Sequence, residues 1–195
     1  MEICYRQATA DDAPFLAHLV RQVSGGLVDA LLDGLLPGVT PEQIVSMVLR
    51  DTSSQWSYTN CLLALDDEPA GLLFAYPSSV QTIPPLMETM LSRARLDPLR
   101  DSVTAAVPES LYINTLWVAE RVRGMGLADA LIDYARAWAK DLGLHTLSLF
   151  VWRDNLRARS FYARHGFSAV RSVAIPEPLL SAHGGADLLA SQCAE

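Results

Sequence analysis

The sequence predicts a single α/β domain in which helices and strands alternate along residues 1–195. Half of these residues are hydrophobic and only 19% are charged, which is the composition of a folded globular chain. In the C-terminal half, runs rich in β-branched and aromatic residues alternate with stretches whose apolar residues recur every three or four positions. A strand–turn–helix–strand–helix–strand succession of this kind is typical of the α/β class.

The N-terminal part begins with a short strand candidate at residues 3–5. A helix is predicted next, because its apolar residues share one helical face: Phe15, Leu16, Leu19, Val20 and Val23. The leucine-rich residues 27–36 are interrupted by Pro37 and Gly38. A further helix is expected to begin at Thr40, since Thr is a good N-cap and Gln43 stands where a capping box requires it.

The middle of the chain holds a predicted hairpin and a less regular segment. Residues 60–65 (NCLLAL) and 70–76 (AGLLFAY) have the composition of strands, and three acidic residues and a proline between them are typical of a turn. Residues 77–108 contain five prolines around a helix-like piece at 86–95. We interpret this segment as an insertion between strands, because it is too short to have its own core.

The C-terminal half is more regular. Residues 111–118 (LYINTLWV) predict a strand, 121–126 (RVRGMG) a glycine-containing turn, and the residues from Leu127 a helix that ends near Gly143. Residues 145–152 predict another strand, and 155–165 a helix that stops at Gly166. Two more strands are expected at 167–175 and 186–193.

The turn between the first of these strands and its helix suits an anion. The first turn of a helix has unpaired amides and a positive dipole end, so it can bind a pyrophosphate. Gly124 and Gly126 allow the backbone to approach phosphate oxygens, and Arg121 and Arg123 add positive charge. The chain has no Walker A sequence, and Asp129 stands where the dinucleotide fingerprint needs its third glycine.

Two sequence blocks together resemble the GNAT superfamily of acyl-CoA-dependent N-acyltransferases. RVRGMG at 121–126 is similar to that family's pyrophosphate loop, and NLRARSFYARHGF at 155–167 to its second block. The blocks stand in the family's order, and the resemblance covers about residues 111–170. It implies a central mixed, mostly antiparallel sheet flanked by helices and splayed at the acyl-CoA site.

The resemblance also implies site residues. Acetyl-CoA would be the cosubstrate, with its pantetheine arm along the strand residues Leu116, Trp117 and Val118 and a hydrogen bond from Asn155. The pyrophosphate would lie on the loop. The loop residues concerned are Arg121, Val122, Arg123, Gly124, Met125, Gly126 and Leu127.

For catalysis, the resemblance implies direct attack of an amine on the thioester in a ternary complex. Tyr162 would donate a proton to the departing CoA thiolate, and a backbone amide near Val118 would stabilise the oxyanion. We found no compelling general base among Glu109, Tyr112 and Asn114. Strand alternation predicts that Tyr112 and Asn114 share a face with Leu116 and Val118.

Composition and spacing restrict the other classes of function. A formal net charge of −7 argues against nucleic-acid binding. Three distant cysteines and four histidines without ligand spacing predict neither disulfide nor metal site. No signal peptide and no membrane span is expected, and we predict a cytoplasmic protein.

The identity of the acceptor amine stays open at this point. It can be a small molecule or a protein amine, shaped by residues 27–51 and 77–108, and a homodimer is possible. One alternative is a catalytically silent module that binds acyl-CoA as a sensor or partner. Another is an α/β interaction domain that matches the motifs by chance.

Overall fold

The computed structural model describes residues 3–193, so residues 1–2 and 194–195 of the predicted domain lie outside it. The strands are β1 Cys4–Gln7, β2 Cys61–Asp66, β3 Glu68–Pro77, β4 Ser110–Val118, β5 Thr146–Trp152, β6 Ser168–Val173 and β7 Ala186–Gln192. The helices are α1 Ala13–Val23, α2 Leu27–Leu32, α3 Pro41–Arg50, α4 Pro85–Met90, α5 Arg93–Leu96, α6 Arg100–Thr104, α7 Leu127–Asp141, α8 Leu156–Arg164 and α9 Leu179–His183.

All seven strands form one sheet, in the order β1-β2-β3-β4-β5-β7-β6. Only β4 and β5 run parallel, and every other neighbouring pair is antiparallel. Helix α7 lies between the two parallel strands in sequence, which is the connection that a parallel pair requires. The sheet is therefore mixed and mostly antiparallel, as predicted.

Each face of the sheet carries its own apolar core. Helices α1, α2 and α3 and the segment between β3 and β4 cover one face, where Leu16, Ile44 and Phe74 are fully buried. Helix α7 covers the other face, where Leu131 and Ala135 are fully buried. We refer to these as the α1 face and the α7 face.

The local signals at two predicted elements are confirmed. The Thr40 hydroxyl accepts a hydrogen bond from the Gln43 amide at 3.2 Å, and the Gln43 side chain accepts one from the Thr40 amide at 2.8 Å, so the capping box is complete. The hairpin β2–β3 also forms. Its turn is tighter than expected, because only Asp67 separates the strands, with a left-handed φ of 56°.

The helix expected at residues 86–95 is wrong in one respect, because the structure has two short helices there, α4 and α5. Leu91 takes an extended conformation between them. Met87, Leu91 and Leu96 are all buried in the α1 face core. A continuous helix would point Leu96 about 140° away from Leu91, so the break lets both side chains reach the core. That this segment is an insertion stays a prediction.

Candidate functional site

The sheet opens between its two parallel strands. Pairing of β4 with β5 runs only from Ser110 opposite Thr146 to Ile113 opposite Leu149. Strand β4 nevertheless continues to Val118, still paired with β3 on its other side. The last five residues of β4 therefore have a free edge facing the gap, which is the splay that the sequence resemblance implies.

A β-bulge stands where the strands separate. Ile113 is opposite Ala75 and Thr115 is opposite Phe74, so Asn114 is the extra residue on β4. The bulge shifts the alternation of side chains along the strand. Leu111 and Ile113 pack on the α7 face before the bulge.

After the bulge, Leu116 and Val118 pack on the α7 face, whereas Tyr112 packs on the α1 face. The prediction that Tyr112 and Asn114 share a face with Leu116 and Val118 is therefore wrong. Strict period-two alternation fails across an inserted residue. The Asn114 side chain instead donates a hydrogen bond to the Tyr76 hydroxyl at 3.2 Å, on the α1 face.

The backbone of β4 presents hydrogen-bonding groups to the opening. The amide of Ala119, directly after β4, donates to the carbonyl of Ala70 at 2.8 Å. Backbone amides along a strand point alternately to its two sides. The amides of Leu116 and Val118 thus point away from β3, and the Arg123 guanidinium bonds the Val118 carbonyl on that side at 3.2 Å.

The loop from β4 to α7 forms the end of the opening. Gly124 and Gly126 have φ values of 79° and 84°, a left-handed conformation that favours glycine, and open space surrounds the position of each absent Cβ. Gly126 is the N-cap of α7, and no side chain among the described residues caps this helix end. The first-turn amides of α7 are thus available to an anion.

A cavity of about 690 Å³ lies along this edge and loop, and we refer to it as the cofactor cavity. Nine of the twelve predicted cofactor-binding residues line it: Leu116, Trp117, Val118, Val122, Arg123, Gly124, Gly126, Asn155 and Tyr162. Three predicted residues do not. The Met125 side chain is exposed, and the Leu127 side chain is buried in the α7 face core.

The third, Arg121, points its side chain to the hairpin. Its guanidinium donates to the backbone carbonyls of Asp66, Glu68 and Pro69 at 3.1–3.3 Å. It therefore fastens the loop to the β2–β3 turn. Arg123 lines the cavity and is held there by Glu120 at 2.7 Å.

Two cationic side chains of the cavity were not predicted. Arg157 and Arg164 on α8 both line it. Arg159, between them in sequence, instead forms an ion pair with Asp187 of strand β7 at 2.8 Å. All three arginines are visible in the sequence. Their positions around the axis of α8 decide which of them face the cavity and which one pairs with Asp187.

Asn155 and Tyr162 both belong to the wall that α8 and its N-cap contribute to the cofactor cavity. Asn155 is the N-cap of this helix, and its Oδ1 accepts a hydrogen bond from the Ala158 amide at 3.1 Å. Tyr162 is 9% exposed and packs against Phe161 and Phe167. Burial raises the pKa of the Tyr162 phenol above its ordinary value, so it keeps its proton at neutral pH.

A second cavity of about 550 Å³ adjoins the first, and we refer to it as the acceptor cavity. The two share Leu116, Trp117, Arg123, Asn155 and Tyr162 among their lining residues. The acceptor cavity extends between β4 and β5 toward α1, α2 and α9. Tyr162 therefore stands where two molecules bound in the two cavities would meet.

Two of the three residues considered as a general base line the acceptor cavity. Tyr112 and Asn114 line the acceptor cavity, whereas Glu109 is exposed and outside it. Burial raises the pKa of the Tyr112 phenol, so the phenol stays protonated and cannot accept a proton from the amine. Cys61 is fully buried in the α1 face core, where burial raises the pKa of its thiol.

Residues 3–193 lack two other kinds of feature. No group of three or more His, Cys, Asp or Glu side chains in this range is placed to hold a metal ion. No helix in this range is both long and apolar enough to cross a bilayer.

Comparison with known proteins gives one family and a common fold. The family model described as the acetyltransferase (GNAT) family matches residues 40–167, about two thirds of the chain. No curated protein matches this sequence. A crystal structure described as an acetyltransferase is 24% identical, with 98% of this chain and 100% of that chain covered and a TM-score of 0.69.

Two further solved structures share the fold. An N-acetyltransferase from Staphylococcus aureus Mu50 is 19% identical over 96% of this chain and 99% of its own, with a TM-score of 0.70. The PaiA N-acetyltransferase of Thermoplasma acidophilum, crystallised in complex with coenzyme A, is 14% identical over 98% and 99%, with a TM-score of 0.56.

Proposed function

The chain belongs to the acetyltransferase (GNAT) family, and from this premise we propose that it transfers the acetyl group of acetyl-CoA to a primary amine. One observation carries the proposal. The gap between β4 and β5 joins a loop suited to an anion with a second cavity, and Tyr162 lies on both. Such an arrangement suits a reaction between a phosphate-bearing donor and a separate acceptor.

Acetyl-CoA binds, in this proposal, along the cofactor cavity. The backbone amides of Gly124, Gly126 and Leu127 hold its pyrophosphate at the N-terminus of α7, because the other amides of residues 122–127 already donate to carbonyls within the loop. Arg157 and Arg164 face the phosphates from α8. Its pantetheine arm lies along β4 as an additional strand would, bonded by the backbone of Leu116 and Val118. Asn155 donates to the arm through its amide nitrogen, since its oxygen caps α8.

The reaction is a direct transfer. The lone pair of a neutral amine attacks the thioester carbonyl carbon, and negative charge develops on the carbonyl oxygen. The Val118 amide, which points into the opening, stabilises this oxyanion. The carbon–sulfur bond then breaks, the sulfur leaves with the electron pair, and the amide nitrogen gives up its extra proton.

Tyr162 supplies a proton to the departing thiolate. Burial keeps its phenol protonated, and the same dry surroundings raise the proton affinity of the thiolate. The two products are then a neutral thiol and an acetylated amine. Tyr162 regains its proton from solvent or from the proton released by the amine.

Substitution Tyr162→Phe tests this role. We expect kcat to fall by about 100-fold, the range of a general acid, because the ring stays and only the hydroxyl is lost. Thiol release from acetyl-CoA over a broad panel of primary amines measures kcat. Stabilisation of the fold by acetyl-CoA, measured as the shift in Tm, should be unchanged.

The matched control is Tyr134→Phe, which removes the same hydroxyl from an exposed tyrosine of α7 outside both cavities. Its kcat should equal that of the unchanged protein. Equal turnover in Tyr162→Phe would remove this residue from the mechanism. A Tm shift with acetyl-CoA, without thiol release for any amine, would instead support the silent acyl-CoA-binding alternative.

A further inference from the structure

The acceptor cavity restricts the class of amine that can react, provided that the proposed function holds. Residues from α1, α2, the segment between β3 and β4, β4, β5 and α9 all contribute to its wall. Its volume of about 550 Å³ lies within the range of small-molecule sites. The cavity therefore matches a compact acceptor in size.

Six aromatic side chains stand among the lining residues. They come from both strands that border the gap and from their surroundings, and they are Trp56, Tyr112, Trp117, Phe150, Trp152 and Tyr162. Aromatic rings pair favourably with another ring, edge-to-face or offset, beyond the gain from buried area. Such a lining favours an acceptor that itself carries a ring.

The Trp152 wall is held in place before any ligand binds. Its indole N–H donates to the Ser24 carbonyl at 3.1 Å, and His183 stacks on its ring with centroids 4.2 Å apart. Phe150 meets it edge-on at 4.9 Å. A Cβ on Gly25 would collide with the indole ring of Trp152, so only glycine permits this contact. Fixed walls of this kind give selectivity for shape.

The charged groups of the acceptor cavity already have partners. Asp154 is bound by His183 Nδ1 at 2.9 Å, and Arg123 is bound by Glu120 at 2.7 Å. Glu42, Asp129 and the other carboxylates of the described chain do not line this cavity. A second ammonium group or a carboxylate on the acceptor would have to compete with these existing pairs for a counter-charge as it loses its water, which is unfavourable.

The absence of a free carboxylate in this lining also bears on the amine itself. Burial of the amine against the aromatic rings disfavours its ammonium form by desolvation, so it promotes the neutral nucleophile. An acceptor with one amine and an apolar body meets both conditions. A polyamine, an amino acid or a peptide with a free carboxylate carries a second charged group and so fails the first condition.

We propose that the acceptor is a small primary amine with an aromatic body and no second charge. The experiment measures kcat/KM with acetyl-CoA for matched pairs of amines. In one pair, 2-phenylethylamine and phenylalanine differ by a carboxylate. In another, n-butylamine and 1,4-diaminobutane differ by a second amine, and n-hexylamine replaces the ring with an alkyl chain.

We expect 2-phenylethylamine to exceed phenylalanine and n-hexylamine by at least about tenfold, and n-butylamine to exceed 1,4-diaminobutane. Substitution Phe150→Leu removes an aromatic wall and keeps an apolar one. It should lower kcat/KM for 2-phenylethylamine about tenfold more than for n-hexylamine. The control Tyr134→Leu changes an exposed ring outside the cavity and should alter neither.

The possible failures are distinct. Acetylation of phenylalanine or 1,4-diaminobutane at least as fast as of the partner that lacks the second charged group would overturn the inference and leave the acetyltransferase function intact. An equal loss for both amines in Phe150→Leu would do the same. No thiol release with any amine of the panel would overturn the proposed function and this inference together.

Discussion

At the scale of single residues, two similar residues of one motif can have different structural roles. Arg121 and Arg123 stand two positions apart in the loop, yet Arg121 bonds the hairpin carbonyls and Arg123 faces both cavities. The sequence predicts positive charge at both positions. The sequence does not reveal that Arg121 lies next to the β2–β3 turn, because only the tertiary fold brings the two together.

Asp12 gives a prediction at this scale. It accepts two hydrogen bonds from the Arg6 guanidinium, at 2.7 and 2.8 Å, and one from the Thr9 amide at 2.7 Å. The Arg6 hydrogen bonds, more than any other contact, lower the pKa of Asp12 from 3.8 to about 2. Its contribution to stability is thus present above the ordinary pKa and is lost as pH falls toward the lowered one.

Substitution Asp12→Asn should therefore lower the free energy of unfolding by about 1–2 kcal/mol near neutral pH. The difference from the unchanged protein should shrink between about pH 4 and pH 2, because both chains then lack the carboxylate charge. Denaturant unfolding across this range measures it. Asp11→Asn, at the exposed neighbour, is the control, and a difference independent of pH would contradict the assignment.

At the scale of elements, the opening depends on strand β4. Its first half pairs on both sides, the bulge at Asn114 separates the halves, and its second half pairs with β3 alone. The amide of Val118 points into the gap, whereas the amide of Trp117 points toward β3 by the same alternation. Neighbouring positions thus differ in whether their amide is needed by the sheet.

Substitution Val118→Pro uses this difference. Proline removes an amide that the sheet does not use, so the fold should persist, as judged by circular dichroism and Tm. The thiol-release rate should fall by about 100-fold, because the proposed oxyanion donor is gone. Trp117→Pro is the matched control and should destabilise the sheet itself. Full activity in a folded Val118→Pro protein would show that this amide has no part in the reaction.

Local chemistry made most elements predictable. The capping box at Thr40, the hairpin turn at Asp67 and the glycines of the loop are set by residues near them in sequence. The bulge at Asn114 was not predictable, because it exists only in the register of β4 against β3. The break at Leu91 was not predictable either. It lets Leu91 and Leu96 both reach the α1 face core, which is formed by distant segments of the chain.

At the scale of the whole molecule, the site is a junction between distant parts of the chain. The loop and α8 wall of the cofactor cavity lie within two sequence blocks, and six of the nine predicted residues that line it come from those blocks. The acceptor cavity combines residues from Val20 to His183. Motifs can predict the first cavity, whereas only the assembled fold defines the second.

The central claim is that the β4–α7 loop binds the pyrophosphate of coenzyme A beside the opened edge of β4. A crystal structure of the complex with coenzyme A tests it most directly. We predict the pyrophosphate within hydrogen-bond distance of the amides of Gly124, Gly126 and Leu127, with the pantetheine arm paired to Leu116 and Val118. Coenzyme A bound elsewhere, with these amides facing solvent, would contradict the account.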